Sequence, residues 1–416
     1  MQQNYSDITC LSHQGETDRL YTLTCSIRIW NDDESIEIHE CQDIEIESSY
    51  RRLVGTAVLS IPYSALSSYR TLIGSRIELR LGYDSADLVF SGYVVRCTVD
   101  MVTVLECDDL LSVLRQRSLP MTPTFRSLTA ADFLASGSRY DVLRGTGIML
   151  HPHCDCNSIV VGVVDLCAYY SVADLLEGWQ KRGIMSYGVL QSDGTMLLRV
   201  GYLSLPSGSE LNTTDRRLLS YTDKTSVEVI QSDFDVPSGG DNLKSTHVDK
   251  RYVAVRVMGV LSDGRYYRST VRYAARGSSK YEFVNEHAPR SRRSQKRKGG
   301  SRGKSSATVK AHQDMRDYLV LPLYSTHTGG SETLFRQEAI AALSRYAGGG
   351  VGGTLTTFGD VAVHPGDVVG YICRHHEAKT GFYFVEGVRI RFGVRGYRRD
   401  LVMPFKYADL SYTSDE

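Results

Sequence analysis

Between Thr24 and Cys107 apolar residues return at every second position, segment after segment. Cys25, Ile27 and Ile29 alternate with polar neighbours in Thr24–Trp30. Ile36 and Ile38 do so in Ser35–Glu40, and Ile44 and Ile46 in Asp43–Glu47. Arg76–Leu81 sets Ile77, Leu79 and Leu81 against Arg76, Glu78 and Arg80, and Leu88–Val95 and Val102–Cys107 continue the pattern. Successive side chains of a strand point to opposite faces, so this period commits each segment to a strand with one buried face. Short strands separated by turns predict a small closed or nearly closed antiparallel sheet, followed by a short helix over Asp108–Arg117.

From about Ser118 to Tyr221 the pattern changes. Thr129 with Asp132 three residues on predicts a capped helix, with Leu128 and Phe133 as its staple. Ser171 with Asp174 repeats the device, with Tyr170 and Leu175 as the expected staple. Val172, Leu175, Leu176 and Trp179 share one helical face, and Gly183 is the expected stop. A hairpin then runs from Gly188–Gln191 through Asp193-Gly194 to Met196–Val200. These features predict a mixed α/β insert.

Strand signals resume near Ser226. Tyr252–Leu261 and Arg265–Tyr273 flank the turn dipeptide Asp263-Gly264. One helix is predicted over Glu332–Tyr346, with Phe335, Ala339, Ala342, Leu343 and Tyr346 on one face. Gly352–Met403 is strand-rich, and His364-Pro365-Gly366-Asp367 has the chemistry of a type II turn: proline sets φ at one position and glycine takes positive φ at the next. Ala275–Thr308 is rich in Arg, Lys, Ser and Gly and nearly free of apolar residues after Val284. Such a segment buries too little surface to offset its ordering entropy, so a mobile loop is expected. The plan is β-rich α+β: a first β domain over 1–117, an α/β insert over 118–225, and a second β domain over 226–416 that carries the basic loop 275–308.

Charge and cysteine content narrow the function. Lys+Arg and Asp+Glu are both 48. Eight basic residues, however, fall between Arg290 and Lys304: Arg290, Arg292, Arg293, Lys296, Arg297, Lys298, Arg302 and Lys304. The rest of the chain is therefore mildly acidic, which disfavours specific nucleic-acid binding. The basic run is the candidate partner-binding segment, since blocks of like charge often serve as interaction tails. No run of about 18 apolar residues predicts a membrane span, and Met1–Asp18 lacks the apolar region of a Sec signal. Nine cysteines at irregular spacing fit reduced thiols better than a disulfide framework.

Catalytic and metal chemistry find little support. His151, His153, Cys154 and Cys156 lie within six residues and carry zinc-type donors. Their spacing is tighter than structural zinc sites use, and a packed loop is the preferred reading. His375-His376-Glu377 lacks the helix that would set two histidines at i and i+4. Gly303-Lys304-Ser305 ends like a phosphate-binding loop, but the required first glycine falls on Lys298. No nucleophile elbow or dinucleotide-binding glycine turn is present. Glu177 beside Trp179 is the one tempting acid of the insert, and an ordinary helix-surface residue accounts for it. The expectation is a non-enzyme with no cofactor and no bound metal.

Two regions resemble the hub family of contractile tails, which includes the phage late control protein D and the base of the type VI secretion spike. Leu334–Met403 carries the likeness most fully. It has an Ala-rich helix (Ala339, Ala341, Ala342), then Leu355-Thr356-Thr357-Phe358-Gly359, Pro365-Gly366-Asp367-Val368-Val369, Gly381-Phe382-Tyr383-Phe384-Val385 with Val388, then Gly396-Tyr397 and Leu401-Val402. Val89-Phe90-Ser91-Gly92-Tyr93-Val94 and Leu105–Leu111 resemble the family in the first half. The resemblance marks Gly92, Gly359, Pro365, Gly366, Asp367, Gly381, Tyr383 and Val385 as motif residues with structural roles.

The resemblance implies two tail-tube-like antiparallel β-barrel domains flanking the insert. Three such chains would make a ring of six similar barrels, a homotrimer that joins a six-fold tail tube to a three-fold central spike. The implied partners are a tail tube protein or tube initiator, the central spike protein and baseplate wedge proteins. The place is the virion tail baseplate, assembled in the host cytoplasm, with DNA passing through the lumen. A type VI-like or extracellular contractile injection spike base is the related alternative, and a tail-associated peptidoglycan hydrolase acting through the insert is the enzymatic one.

Overall fold

The computed structural model describes residues 22–32, 34–66, 72–119, 128–152, 154, 156–157, 159–162, 166–181, 184–202, 228–245, 253–261, 265–273, 281–284, 319–330, 332–344 and 351–408. The first part holds β1 (Leu23–Trp30), β2 (Ser35–Ile38), β3 (Asp43–Ser49), β4 (Thr56–Pro62), α1 (Tyr63–Leu66), β5 (Arg76–Tyr83), β6 (Asp87–Thr98), β7 (Val102–Asp109) and α2 (Val113–Gln116). The middle holds β8 (Leu128–Thr129), α3 (Ala131–Leu134), β9 (Met149–Leu150), β10 (Val160–Gly162), α4 (Val172–Lys181), β11 (Ile184–Leu190) and β12 (Met196–Tyr202). There follow β13 (Glu228–Gln231), β14 (Lys244–Ser245), β15 (Val253–Leu261), β16 (Tyr266–Tyr273), β17 (Tyr281–Val284), β18 (Leu319–Gly330) and α5 (Glu332–Ser344). The last part holds β19 (Val351–Phe358), β20 (Val368–Ile372), β21 (Gly381–Phe384), β22 (Gly387–Gly393), β23 (Gly396–Met403) and β24 (Lys406–Ala408).

The chain is β-rich, as its periodicity predicts, but no sheet among the described residues closes into a barrel. Eleven strands from both ends of the chain form one sheet in the order β14-β19-β23-β22-β3-β4-β7-β6-β5-β1-β2. Two separate closed barrels are therefore not what the described residues form. Alternation specifies which face of a strand is buried and leaves open which strand lies beside it. β3 lies between β4 and β22, so the strand that would have closed the first sheet joins the two halves instead.

Along this seam Ile46 stands opposite Ile390 and Ile44 opposite Phe392, all four buried in one cluster with Leu59, Leu79 and Leu401. On the other face Glu45 opposes Arg391 and Glu47 opposes Arg389, a ladder of opposite charges that favours this register. Arg389 pairs with Glu47 and with Glu45, the latter at 3.3 Å. Half-exposed pairs of this kind contribute about 0.2–1 kcal/mol. Arg389→Glu sets like charges against both acids and is expected to lower stability by about 1 kcal/mol at low salt and by less at high salt. Urea midpoints at two ionic strengths check this.

A second core gathers α4, the β11–β12 hairpin and the segment after β7. Val172, Leu175, Leu176 and Trp179 form the expected helical stripe, all fully buried with Leu111, Leu114 and Phe133. The α4 capping box is reciprocal: the Ser171 N–H donates to Asp174 Oδ2 at 3.1 Å and the Asp174 N–H to Ser171 Oγ at 3.2 Å. Tyr170 is no staple, being 93% exposed. At Thr129 only half the box forms, both Thr129 groups donating to Asp132 Oδ2, and Leu128 and Phe133 are buried as expected. Gly194 turns the β11–β12 hairpin at φ 86°.

A third core lies under α5, whose Phe335, Ala339 and Leu343 face the sheet β17-β16-β15-β18. β15 and β16 pair as the expected hairpin. Its Asp263-Gly264 turn, Gly183, Tyr346 and the eight cations of the basic loop lie outside the described residues, but the loop expected over 275–308 is not all loop: Tyr281–Val284 forms β17, paired to β16 with Phe283 opposite Val271. Among the described residues no helix is long and apolar enough to cross a membrane.

Candidate functional site

The motif residues lie where the eleven-stranded sheet, the β11–β12 hairpin and the β20–β21 pair approach one another. His364-Pro365-Gly366-Asp367 is the expected turn. The Asp367 N–H donates to the His364 carbonyl at 3.1 Å, Gly366 has φ 87°, and Asp367 Oδ2 accepts the His364 N–H at 2.8 Å. The turn is clipped to Val385 on both sides: the Gly366 N–H donates to the Val385 carbonyl at 2.8 Å, and the Val385 N–H to the Asp367 carbonyl at 2.9 Å. Two of the sequence motifs are thus one backbone unit. A Cβ on Gly366 would stand 2.1 Å from Tyr187 Oη. Tyr187 comes from the insert hairpin, and burial pushes its phenol pKa up.

Glu386, next along the chain, carries the contact to the first half. Its carbonyl accepts the Tyr50 N–H at 3.1 Å and Ser49 Oγ at 3.1 Å. Its carboxylate accepts the Tyr50 hydroxyl at 3.2 Å and pairs with Arg51 at 2.8 Å. The Tyr50 ring lies 5.2 Å from that of Phe384.

Gly359 and Tyr397 form a second contact. A Cβ on Gly359 would lie 2.1 Å from the Tyr397 ring, so only glycine admits this approach. The Gly359 carbonyl accepts Arg399 Nε at 2.7 Å, and the Tyr397 carbonyl accepts the Tyr83 hydroxyl at 3.0 Å. Gly381 opens β21 opposite Tyr371. Tyr383 is fully buried and its hydroxyl donates to the Lys379 carbonyl at 2.6 Å.

Between these contacts lies a cavity of about 900 Å³, lined among others by Glu47, Phe90, Asp109, Phe358, His364 and Arg399. Asp109 is buried in its wall and caps the turn after β7. Its Oδ2 accepts the Gly55 N–H at 2.7 Å and its Oδ1 the Leu111 N–H at 2.9 Å. Gly92 stands opposite Asp109, where a Cβ would be 2.1 Å from the Asp108 carbonyl oxygen. Burial outweighs the two N–H donors and raises the Asp109 pKa to about 7. The unfolded chain releases this proton near 3.9, so between these values the folded state binds more protons. This group's contribution is fully present below about pH 4 and is lost as pH rises through 7. Wild-type melting temperature is accordingly expected to fall between pH 5 and 7.5 relative to that of Asp109→Asn, which has no proton to lose.

With both oxygens occupied by backbone donors, Asp109 is a structural cap and not a free acid. Glu177 is partly exposed on α4 and lies outside the cavity lining. Among the described residues no three His, Cys, Asp or Glu side chains are placed to hold a metal ion. Of the histidine–cysteine run, His153 lies outside the described residues. His151 is buried, and Cys154 packs on β12, its sulfur accepting the Val200 N–H at 3.2 Å. His375 and His376 are exposed in the β20–β21 loop.

Several residues of this junction went unmarked in the sequence. Tyr50, Tyr187, Glu386 and Arg399 carry no motif, and their partners are distant in the chain. The dipeptide Asp108-Asp109 at the end of a strand was the available sign of a turn cap.

No family model matches this chain, and no curated protein matches its sequence. Solved structures do match. A 43 kDa tail protein of prophage MuSo2 from Shewanella oneidensis aligns over 92% of this chain and 98% of its own, with 10% identity and a TM-score of 0.51. The tail protein from Neisseria meningitidis MC58 aligns over 92% and 96%, with 14% identity and a TM-score of 0.48. A chain of the Francisella PdpA–VgrG complex aligns over 97% of this chain and 61% of its own, with 8% identity and a TM-score of 0.48. The MuSo2 alignment carries the assignment of fold: this chain has the fold of a phage tail protein.

Proposed function

We propose that this chain is a structural baseplate hub of a contractile tail, a homotrimeric adaptor between a six-fold tail tube and a three-fold central spike. One observation carries the reading: a phage tail protein shares the fold along nearly the full length of both chains. The three-part plan, with divisions near residues 117 and 225, would place a strand-rich segment at each end of the protomer, and three protomers would present six such segments. Joined through β3 and β22, the two halves would move as one body, which suits a part that transmits load from tube to spike. Closed rings are the usual form of homo-oligomers, and each protomer needs an apolar surface to bury against the next. Tyr63, Val99, Met101 and Val102 supply exposed apolar side chains around the β6–β7 turn; the Tyr63 N–H bonds to the Met101 carbonyl at 3.2 Å. The reading assigns no enzymatic activity. Its partners are the tube protein or tube initiator, the spike protein and the wedge proteins, its place is the virion tail, and the basic loop is available to an acidic partner.

Electron microscopy of the assembled particle, with this chain tagged, tests the proposal. Three copies are expected at the tube–spike junction, and their absence from that position would overturn it. In solution with spike protein, Met101→Asp is expected to weaken trimer formation in light scattering.

A further inference from the structure

Two cysteines from different strands meet at the edge of the large sheet. Cys25 lies in β1 and Cys41 in the turn between β2 and β3, and Cys41 Sγ approaches Cys25 Sγ at 3.8 Å. Both are only partly buried. A disulfide needs about 2.05 Å between sulfurs, so the two thiols stand a short approach from bonding distance. β2 is a four-residue strand at the end of the sheet with β1 as its one neighbour. The surroundings separate the two thiols. The hydrogen bond from Cys41 holds the Cys25 thiol below its usual pKa, and the same bond pushes that of Cys41 up. His39 lies beside them, its Nδ1 3.3 Å from the Cys25 carbonyl.

We propose that Cys25 and Cys41 form a thiol–disulfide exchange site whose substrate is a low-molecular-weight disulfide, and that its closure pins β2 and the following turn to β1. The Cys25 thiol, which donates to the His39 carbonyl at 3.0 Å, gives up its proton and attacks one sulfur of the small disulfide. A mixed disulfide forms, and the departing thiolate takes up the proton Cys25 gave. Cys41 then loses its proton and attacks the Cys25 sulfur, expelling the second small thiol, which is protonated in turn. Two protein thiols are oxidised and one small disulfide is reduced to two thiols, so atoms and electrons balance. The bond closes a loop between residues 16 apart, which restricts the unfolded chain. A cell's reducing pool keeps the pair open. Oxidising surroundings supply the conditions that close it. The site is independent of the tail assignment, since it needs only the folded chain.

The test is incubation of the full folded chain with oxidised glutathione, followed by peptide mapping against time. Cys167, exposed and distant in sequence, serves as the internal clock. The Cys25–Cys41 linkage is expected to appear before glutathione accumulates on Cys167. In Cys41→Ser, glutathione is expected to remain on Cys25 as the main species at that site, whereas in the wild type it is a transient. In Cys25→Ser, Cys41 is expected to lag behind Cys167. Prior modification of Cys167, or stable glutathione on both Cys25 and Cys41 of the wild type, would overturn the proposal. Loss of the trimer with the linkage intact would count against the hub assignment and leave this site standing.

Discussion

Gly366→Val is expected to lower stability by about 2–5 kcal/mol, read as a shift of the urea midpoint with an unchanged slope. Two costs combine. The backbone is held at φ 87°, where an L side chain costs about 1–2 kcal/mol. The new Cβ also falls 2.1 Å from Tyr187 Oη, and overpacking of a well-filled site costs about 1–3 kcal/mol more. Gly74→Val separates the two, because Gly74 has φ 86° with nothing within 4 Å of its Cβ position. It is expected to pay the backbone cost alone. In a Tyr187→Phe background the penalty at Gly366 is expected to shrink, since the first contact is with the hydroxyl. If Gly366→Val and Gly74→Val cost the same, the insert does not bear on the turn as described.

Asp109→Ala is expected to cost about 2–5 kcal/mol by the same measurement. The carboxylate is the acceptor for the Gly55 and Leu111 N–H groups, and each donor left unpaired in a buried site costs about 1–3 kcal/mol. Water entering from the adjoining cavity would satisfy part of this demand and bring the loss toward the lower end. Asp109→Asn keeps one acceptor oxygen and is expected to fall between wild type and alanine. A loss below about 0.5 kcal/mol for the alanine variant, the range of an ordinary surface change, would show that Asp109 is not the cap of this turn.

The local structure was largely legible in the residues, because it depends on near neighbours. The alternation of Ile27 with Ile29, or of Ile77 with Leu79 and Leu81, gave strands with one buried face. Ser171 with Asp174 marked a helix start, and Pro365-Gly366 marked a turn. β4 is a further strand of the same kind, with Ala57, Leu59 and Ile61 buried at alternate positions before Pro62. Long-range pairing was not legible. Nothing in Glu45-Ile46-Glu47 announces Arg389-Ile390-Arg391 as its neighbour until the two are laid side by side, and two closed sheets satisfied the same periodicity. Tyr170, expected as a staple, is instead 93% exposed. The motif glycines were visible as residues, but what each makes room for was not. That depends on Tyr187, Tyr397 and the Asp108 carbonyl, which the fold brings in from elsewhere.

The seam between β3 and β22 also bears on synthesis. Ser49 and Glu386, bonded across it, are 337 residues apart. At about 5–20 residues per second, a ribosome takes on the order of twenty seconds to a minute to deliver the second strand after the first. Throughout that interval the nascent chain carries a bare strand edge of the kind that recruits other chains. Ribosomes crowded on one message would hold many such edges close together, which makes early capture by a chaperone, or slow translation initiation, a natural requirement for good yield of this protein.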